Sequence, residues 1–563
     1  MAQPATHYYH VVFRAEGLQG DSQDFKMPAW TPGYYRIMDY AKNVVNFGAG
    51  DGAGHSLAWH KLSKNTWHVE SHNARVIEVS YDVYAYNPFV AESFLDDMRG
   101  YITPAGLFMH VAGQIGRPVT LSIEPYAGWS NVSVGLDPVE GKPNTFTAPD
   151  FDLLYDCPIL MGNQEVRNFE VDGVPHQVVI ENVPNVDHAK ITADLKRIVE
   201  SGTKIIGAIP YKHYTFLAMG AGAGGIEHLT SAAMMFNGST LTDAPGYSRW
   251  LSFVAHEYFH TYNVKRIRPI ALGPFDYDKE NYTNMLWVSE GFTVYYEDLI
   301  LVRAGLMTRD QYFERVQKNI ENYENHPGHR FQSATESSFD TWIKGMNRGE
   351  YFSNTTISYY DKGAALGLLL DLAIRNQTHN RKSLDDVMRA LYQKYFKERQ
   401  RGFKDEEFRE ECESAAGASL PEVFEYATTT RDIDYPKYFA YAGLDIAASP
   451  EGQSGAFLGA SAQFQDGSLV ISSVESESPA QRGGLMAQDQ ILALDGTRVN
   501  AKSLDDALKL RKPGDKMRVL LSRRGTVREL EVELGQKSER SFKIKPMANP
   551  STEQAAILAD WLR

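Results

Sequence analysis

Over the first 165 or so residues, apolar and polar positions alternate in short runs. Residues 8–13, 75–84 and 119–123 are rich in β-branched and aromatic side chains, and turn residues separate them. Alternation with period two turns one strand face to a core and the other to water. The pattern predicts a β-sandwich-like domain over residues 1–165, with no helix of convincing length.

From residue 166 the pattern changes. Strand-like runs at 178–180 and 214–219 open a segment that then becomes helical. Residues 250–264 contain neither Gly nor Pro. Residues 288–304 run up to Gly305, a residue suited to the left-handed turn after a helix. Residues 363–374 are almost wholly apolar and are expected to be buried. Further helices follow to about residue 426. Strands return at 468–474, 489–496, 517–522 and 527–534, with a helix at 503–510 and a short amphipathic helix at 552–562. The expected organisation is multidomain α+β. A β domain covers 1–165, a mainly helical domain 166–435, a small β domain 436–545 and a helical tail 546–563.

At ~150 residues per domain, 563 residues agree with three or four domains. The formal net charge is −14 and no long Lys/Arg-rich run occurs, which argues against a nucleic-acid binder. An acidic surface suits cationic partners such as free peptide amines. The two cysteines, Cys157 and Cys412, are too few for a disulfide framework or a cysteine-held zinc, and read as buried thiols. No apolar run approaches the ~20 residues of a membrane span. Residues 1–7 show no apolar signal core. The protein is then either cytoplasmic or has lost a signal peptide.

Candidate chemistry is concentrated in the helical region. His256-Glu257-Tyr258-Phe259-His260 is an H-E-x-x-H run. On a helix its two imidazoles share a face and reach one ion. Glu257 stands where a carboxylate holds a water rather than the metal. A catalytic zinc needs a third protein ligand. Thirty residues on lies Trp287-Val288-Ser289-Glu290-Gly291, with Glu290 at the start of the next strong helix. Among apolar neighbours an unpaired carboxylate is costly, and a metal would satisfy it. The alternative is a glutamate held by the helix dipole. No Gly-x-x-His follows His260, which disfavours a third histidine. Glu297, two turns beyond Glu290, is placed to accept the second N–H of a ligand imidazole, and Asp298 competes for that role.

These residues resemble the gluzincin metallopeptidases. Gly224-Gly225-Ile226-Glu227-His228 resembles the G-x-M-E-N loop of the alanyl/leucyl aminopeptidases. Ser358-Tyr359-Tyr360-Asp361-Lys362-Gly363 resembles their S-Y-x-K-G segment. Together with Trp30-Thr31-Pro32-Gly33-Tyr34, the run from His256 to Pro269 and a PDZ-like module, nearly the whole chain resembles the glycyl aminopeptidase family. The module is marked by Ser478-Pro479-Ala480 with Gly483-Gly484-Leu485, then Asp489-Gln490-Ile491 and Asp495-Gly496.

The resemblance implies a thermolysin-like catalytic domain at 166–435 and a PDZ-like domain at 436–545. It implies one zinc per chain, held by His256, His260 and Glu290, with Glu257 as general base. Glu227, with Gly224 and Gly225, would bind the substrate's α-amino group. His228 replaces the family's Asn. Tyr360, or its neighbour Tyr359, would donate to the oxyanion. The expected activity is release of small N-terminal residues, Gly or Ala, from peptides with a free N-terminus. The alternatives are a zinc endopeptidase with the same site and a non-catalytic PDZ-type peptide-binding protein. The module itself is either a peptide binder or a structural element. Periplasmic or secreted localisation is expected, with the cytoplasm as alternative. The basic run Lys265-Arg266-Ile267-Arg268 either pairs with acidic neighbours or receives a peptide carboxylate.

Overall fold

The computed structural model describes residues 1, 3–181, 186–220, 222–345, 349–450, 455–536 and 539–563. In the N-terminal region strand Tyr8–Glu16 pairs antiparallel with Val76–Tyr84, which also pairs with Val44–Asp51. A second sheet runs Trp59–Ser63, Thr66–Glu70, Ser22–Lys26 and His110–Val111. Alternate residues of these strands point inward, among them Val11, Phe25, Trp67, Ile77, Val79 and Tyr81, and share one core. The α-helix here is the five-residue Phe151–Tyr155. The expected β domain is therefore present, with its strands within a few residues of the ranges read from the pattern.

A five-stranded sheet follows, in the order Glu165–Val171, Val174–Ile180, Tyr214–Met219, Ser231–Met235 and Gly224–Glu227. Its central strand Tyr214–Met219 is parallel to both neighbours and buried along its whole length, as a strand covered on both faces must be. Gly224–Glu227 is antiparallel and lies at the edge.

The helix expected at 250–264 is Ala244–Phe259. Asp243 caps it, accepting from the Gly246 N–H, and Pro245 sits in the first turn, where its missing N–H costs nothing. Pro245 and Gly246, which lie outside the expected 250–264 range, are thus part of the first turn. The far end comes early because His260 is the C-cap. The expected 288–304 helix is Leu286–Ser289 followed by Gly291–Arg303, with Glu290 between them in helical conformation. Gly305 takes φ +65, the left-handed turn expected of it. The apolar run at 363–374 is the middle of Tyr359–Gln377, which begins four residues before the run and is capped by Ser358.

Beyond residue 455 a sheet runs in the order Ala460–Gln465, Ser468–Val474, Gln490–Leu494, Lys516–Arg523 and Thr526–Glu533, over a core of Leu469, Ile471, Leu494, Val519 and Leu521. The last helix, Thr552–Trp561, buries Trp561 completely, its ring 5.6 Å from that of Tyr312. Cys157 and Cys412 are both buried as thiols. Among the described residues no helix is long and apolar enough to cross a membrane. The chain forms two compact units. One comprises Met1–Thr283, Tyr296–Thr308 and Asp385–Glu411, the other Asn284–Tyr295, Arg309–Leu384 and Cys412–Arg563.

Candidate metal centre

One helical turn separates His256 from His260, and their Nε2 atoms stand 3.0 Å apart. Each Nδ1 is committed elsewhere. That of His256 lies 2.7 Å from Glu297 Oε2, and that of His260 lies 2.6 Å from the Asn263 carbonyl oxygen. Carboxylate and carbonyl oxygens accept, so both Nδ1 atoms donate, and a neutral ring then offers only a lone pair at Nε2. Two lone pairs at this distance do not bond each other. A cation shared by both does bind them, and tetrahedral Zn–N bonds of about 2.0–2.1 Å put a nitrogen pair roughly 3.3 Å apart.

Glu290 is 2 % exposed. Among the described residues one group of His, Cys, Asp or Glu can share an ion: His256, His260 and Glu290, with one ligand atom from each within 4.8 Å of the others. Two imidazoles and one carboxylate suit zinc, so this donor set fits the metal. The choice between Glu297 and Asp298 is resolved geometrically. Glu297 receives the His256 N–H, while Asp298 accepts from Ser252 Oγ at 2.5 Å.

Glu257 faces the edge strand and is 4 % exposed. A Cβ on Gly225 would stand 2.6 Å from its carboxyl carbon. Gly224 takes φ +104, a conformation that suits glycine alone.

Glu227 ends the same strand and is also 4 % exposed, with Oε1 accepting no hydrogen bond among the described residues. Lys265 Nζ is 3.9 Å from Oε1 and 2.8 Å from Asp156 Oδ1. Asp156 also accepts from the Leu229 N–H at 2.7 Å and faces His228 Nδ1 at 3.2 Å. Burial disfavours the Lys265 charge, but Asp156 and Glu227 outweigh it and hold its pKa above the ordinary value. His228, the departure from the family loop, is thus turned to Asp156. Gly33 supplies the opposite wall. It takes φ +89, and a Cβ there would come within 2.9 Å of Glu227 Oε2. Glu227, Lys265, Gly33, Trp30 and Arg268 line a cavity of about 420 Å³. Neither Asp156 nor the part played by Gly33 was readable locally, because both act across more than seventy residues of chain. Within the basic run, Lys265 pairs with Asp156, and Arg266 spends its N–H groups on the carbonyls of Thr261, Leu229 and Pro210. Arg268 lies 6.0 Å from the Phe275 ring.

Tyr359 and Tyr360 open the helix Tyr359–Gln377 with their rings stacked 4.8 Å apart. Tyr359 is buried, its hydroxyl 3.2 Å from Thr341 Oγ1, whereas Tyr360 is half-buried. The glycines of the two flanking motifs meet backbone to backbone. A Cβ on Gly363 would stand 2.9 Å from Gly291 Cα and closer still to the Trp287 carbonyl oxygen. Both motif glycines thus let the Glu290 segment and the Tyr360 helix touch.

Lys362 is fully buried and donates to the Thr429 carbonyl at 2.8 Å. Burial lowers its pKa to about 8. Since the unfolded chain binds this proton up to pH ~10.4, it holds more protons than the folded chain between pH ~8 and ~10.4, and this group's contribution to stability rises across that window. Lys362→Met should therefore flatten the stability–pH curve there in urea titrations. An unchanged slope would refute a buried, shifted amine.

Family models match in succession: the peptidase M61 N-terminal domain over residues 1–163, the M61 glycyl aminopeptidase over 249–366 and a PDZ domain over 456–534. A search of curated proteins gave no match. A crystal structure of an aminopeptidase N family protein from Idiomarina loihiensis is 28% identical with TM-score 0.91, covering 100% of this chain and 98% of that one. An M1 zinc metallopeptidase from Deinococcus radiodurans is 11% identical with TM-score 0.47, over 77% of this chain and 93% of that one. With an M61 N-terminal domain, an M61 glycyl aminopeptidase domain and a PDZ domain matched in that order along one chain, and a full-length structural likeness to an aminopeptidase N family protein, this protein is a zinc metallo-aminopeptidase built from M61 peptidase domains and a PDZ domain.

Proposed function

We propose that the enzyme releases small N-terminal residues, Gly and Ala, from peptides with a free amino end. The observation that carries this reading is Glu227. It is a buried carboxylate on an edge strand, with one oxygen accepting no hydrogen bond among the described residues, beside a cavity. A substrate ammonium group supplies the missing donors. His256, His260 and Glu290 would hold one zinc per chain. When bound, zinc supplies Lewis acidity, polarising the scissile carbonyl and acidifying a water molecule.

The chain's own groups do the rest. Glu257 takes the proton of the attacking water and returns it to the leaving amine, so that one peptide bond is cleaved per turnover. Tyr360 donates its phenolic O–H to the oxyanion. Glu297 fixes the His256 tautomer by accepting at Nδ1. In the PDZ domain, Ala460–Gln465 lies at a sheet edge, which supports peptide binding by strand addition.

The test is hydrolysis of Gly-, Ala- and Leu-anilides beside an N-acetyl-Gly anilide, for wild type and Glu257→Gln, with zinc quantified in both. Gly and Ala substrates should be cleaved and the blocked one refused. Glu257→Gln should lose about 10²–10⁴-fold in kcat while keeping its zinc. Equal cleavage of the blocked substrate would show an endopeptidase instead.

A further inference from the structure

The bed of Glu257 is the backbone of Gly225. A Cβ on Gly225 would stand 2.6 Å from the Glu257 carboxyl carbon and 2.6 Å from Phe253 Cζ. Real Cβ atoms do not approach so closely, so something must move. What can move is the end of a flexible glutamate or of the half-buried Phe253 ring. The strand itself is held: Gly225 pairs with Met234, between Gly224 opposite Met235 and Ile226 opposite Ala233. Gly225 also lacks the positive φ of Gly224, so its conformation is open to any residue. The glycine is therefore not required by the backbone. It is required by the carboxylate lying against it.

We infer that Gly225 is a positioning residue for the general base. By giving up its side chain it lets Glu257 settle against the edge strand, and any larger residue pushes that carboxylate out of reach of its proton. This rests on the reading of Glu257 as base and changes the role of Gly225, which the loop resemblance assigns to substrate binding. A substrate-binding glycine would act on KM. One that seats the base acts on kcat, through Glu257 alone.

The experiment is a double-mutant cycle of Gly225→Ala and Glu257→Gln. Gly-anilide kinetics, zinc stoichiometry and Tm are measured for all four proteins. Displacing a catalytic group by about 1 Å costs on the order of 10²-fold. Gly225→Ala alone should therefore lower kcat by about 10²-fold, with KM, zinc content and Tm close to wild type. In the Glu257→Gln background the same substitution should cost nothing further, because there is no base left to displace.

Three results would overturn the inference. One is a wild-type kcat for Gly225→Ala. Another is a loss seen mainly in KM, or repeated in full in the Glu257→Gln background. The third is loss of zinc or a large fall in Tm, which would make Gly225 a residue of the fold. Failure of the underlying reading looks different: Glu257→Gln alone would then keep its activity.

Discussion

His260→Ala is expected to yield a folded chain that neither retains zinc nor cleaves a Gly-anilide. The His260 Nε2 faces that of His256 at 3.0 Å, and its Nδ1 proton is fixed on the Asn263 carbonyl. Among the described residues no other His, Cys, Asp or Glu joins the group, and the His256 ring is held by Glu297. Two ligands remain of the three in the group. A catalytic zinc needs three, so stoichiometry should fall from one per chain to near zero after dialysis. Lewis acidity is worth several kcal/mol in the transition state, so activity should fall by roughly 10³-fold or more. Zinc added after chelation should restore the wild type and leave the variant inactive. It should also raise the Tm of the wild type alone, since a ligand bound only to the folded state stabilises it by mass action. A variant with full zinc and full activity would remove His260 from the site.

Trp561→Ala is expected to cost about 3–5 kcal/mol, the range for truncating a buried large aromatic. The indole is fully buried, 5.6 Å from the Tyr312 ring and 6.4 Å from that of Phe313. Its N–H donates to the Tyr295 hydroxyl at 2.9 Å, which in turn donates to Asp371 Oδ2 at 2.6 Å. Asp371 also accepts from Arg375 Nε and the Leu384 N–H. Losing the indole leaves both a cavity and a hydroxyl short of a donor. Thermal unfolding should fall by roughly 10 °C or more. Trp561→Phe, which keeps most of the volume and lacks the N–H, should lose less. If the two variants lose equally, the hydrogen bond and not the packing carries the contact.

The chemistry of this protein was legible because it is written locally. A helix brings the Nε2 atoms of His256 and His260 together by spacing alone, and Trp287-Val288-Ser289-Glu290-Gly291 carries its own signature. The alternating strands around Val79 and the apolar core of Tyr359–Gln377 were also readable, because burial sets their periodicity. What escaped depends on the fold. Asp243 and Pro245 start a helix that residue pattern begins at Trp250. Gly225, Gly291 and Gly363 are explained by what lies against them, and a sequence does not say which neighbour a glycine makes room for. Asp156 reaches His228 and Lys265 across seventy-two and 109 positions, with no local mark.

The hydrogen bond from Trp561 to Tyr295 joins residues 266 positions apart. On the ribosome, Tyr295 emerges long before its partner exists. At about 5–20 residues per second the wait is roughly 13–53 s. Through that interval the helix that follows Glu290 lacks the indole donor of Trp561, and the compact unit to which Tyr295 belongs is still missing residues up to its last helix. A nascent polypeptide released early, short of Trp561, would carry His256, His260 and Glu290 and still lack the indole that donates to Tyr295, in the helix that follows Glu290.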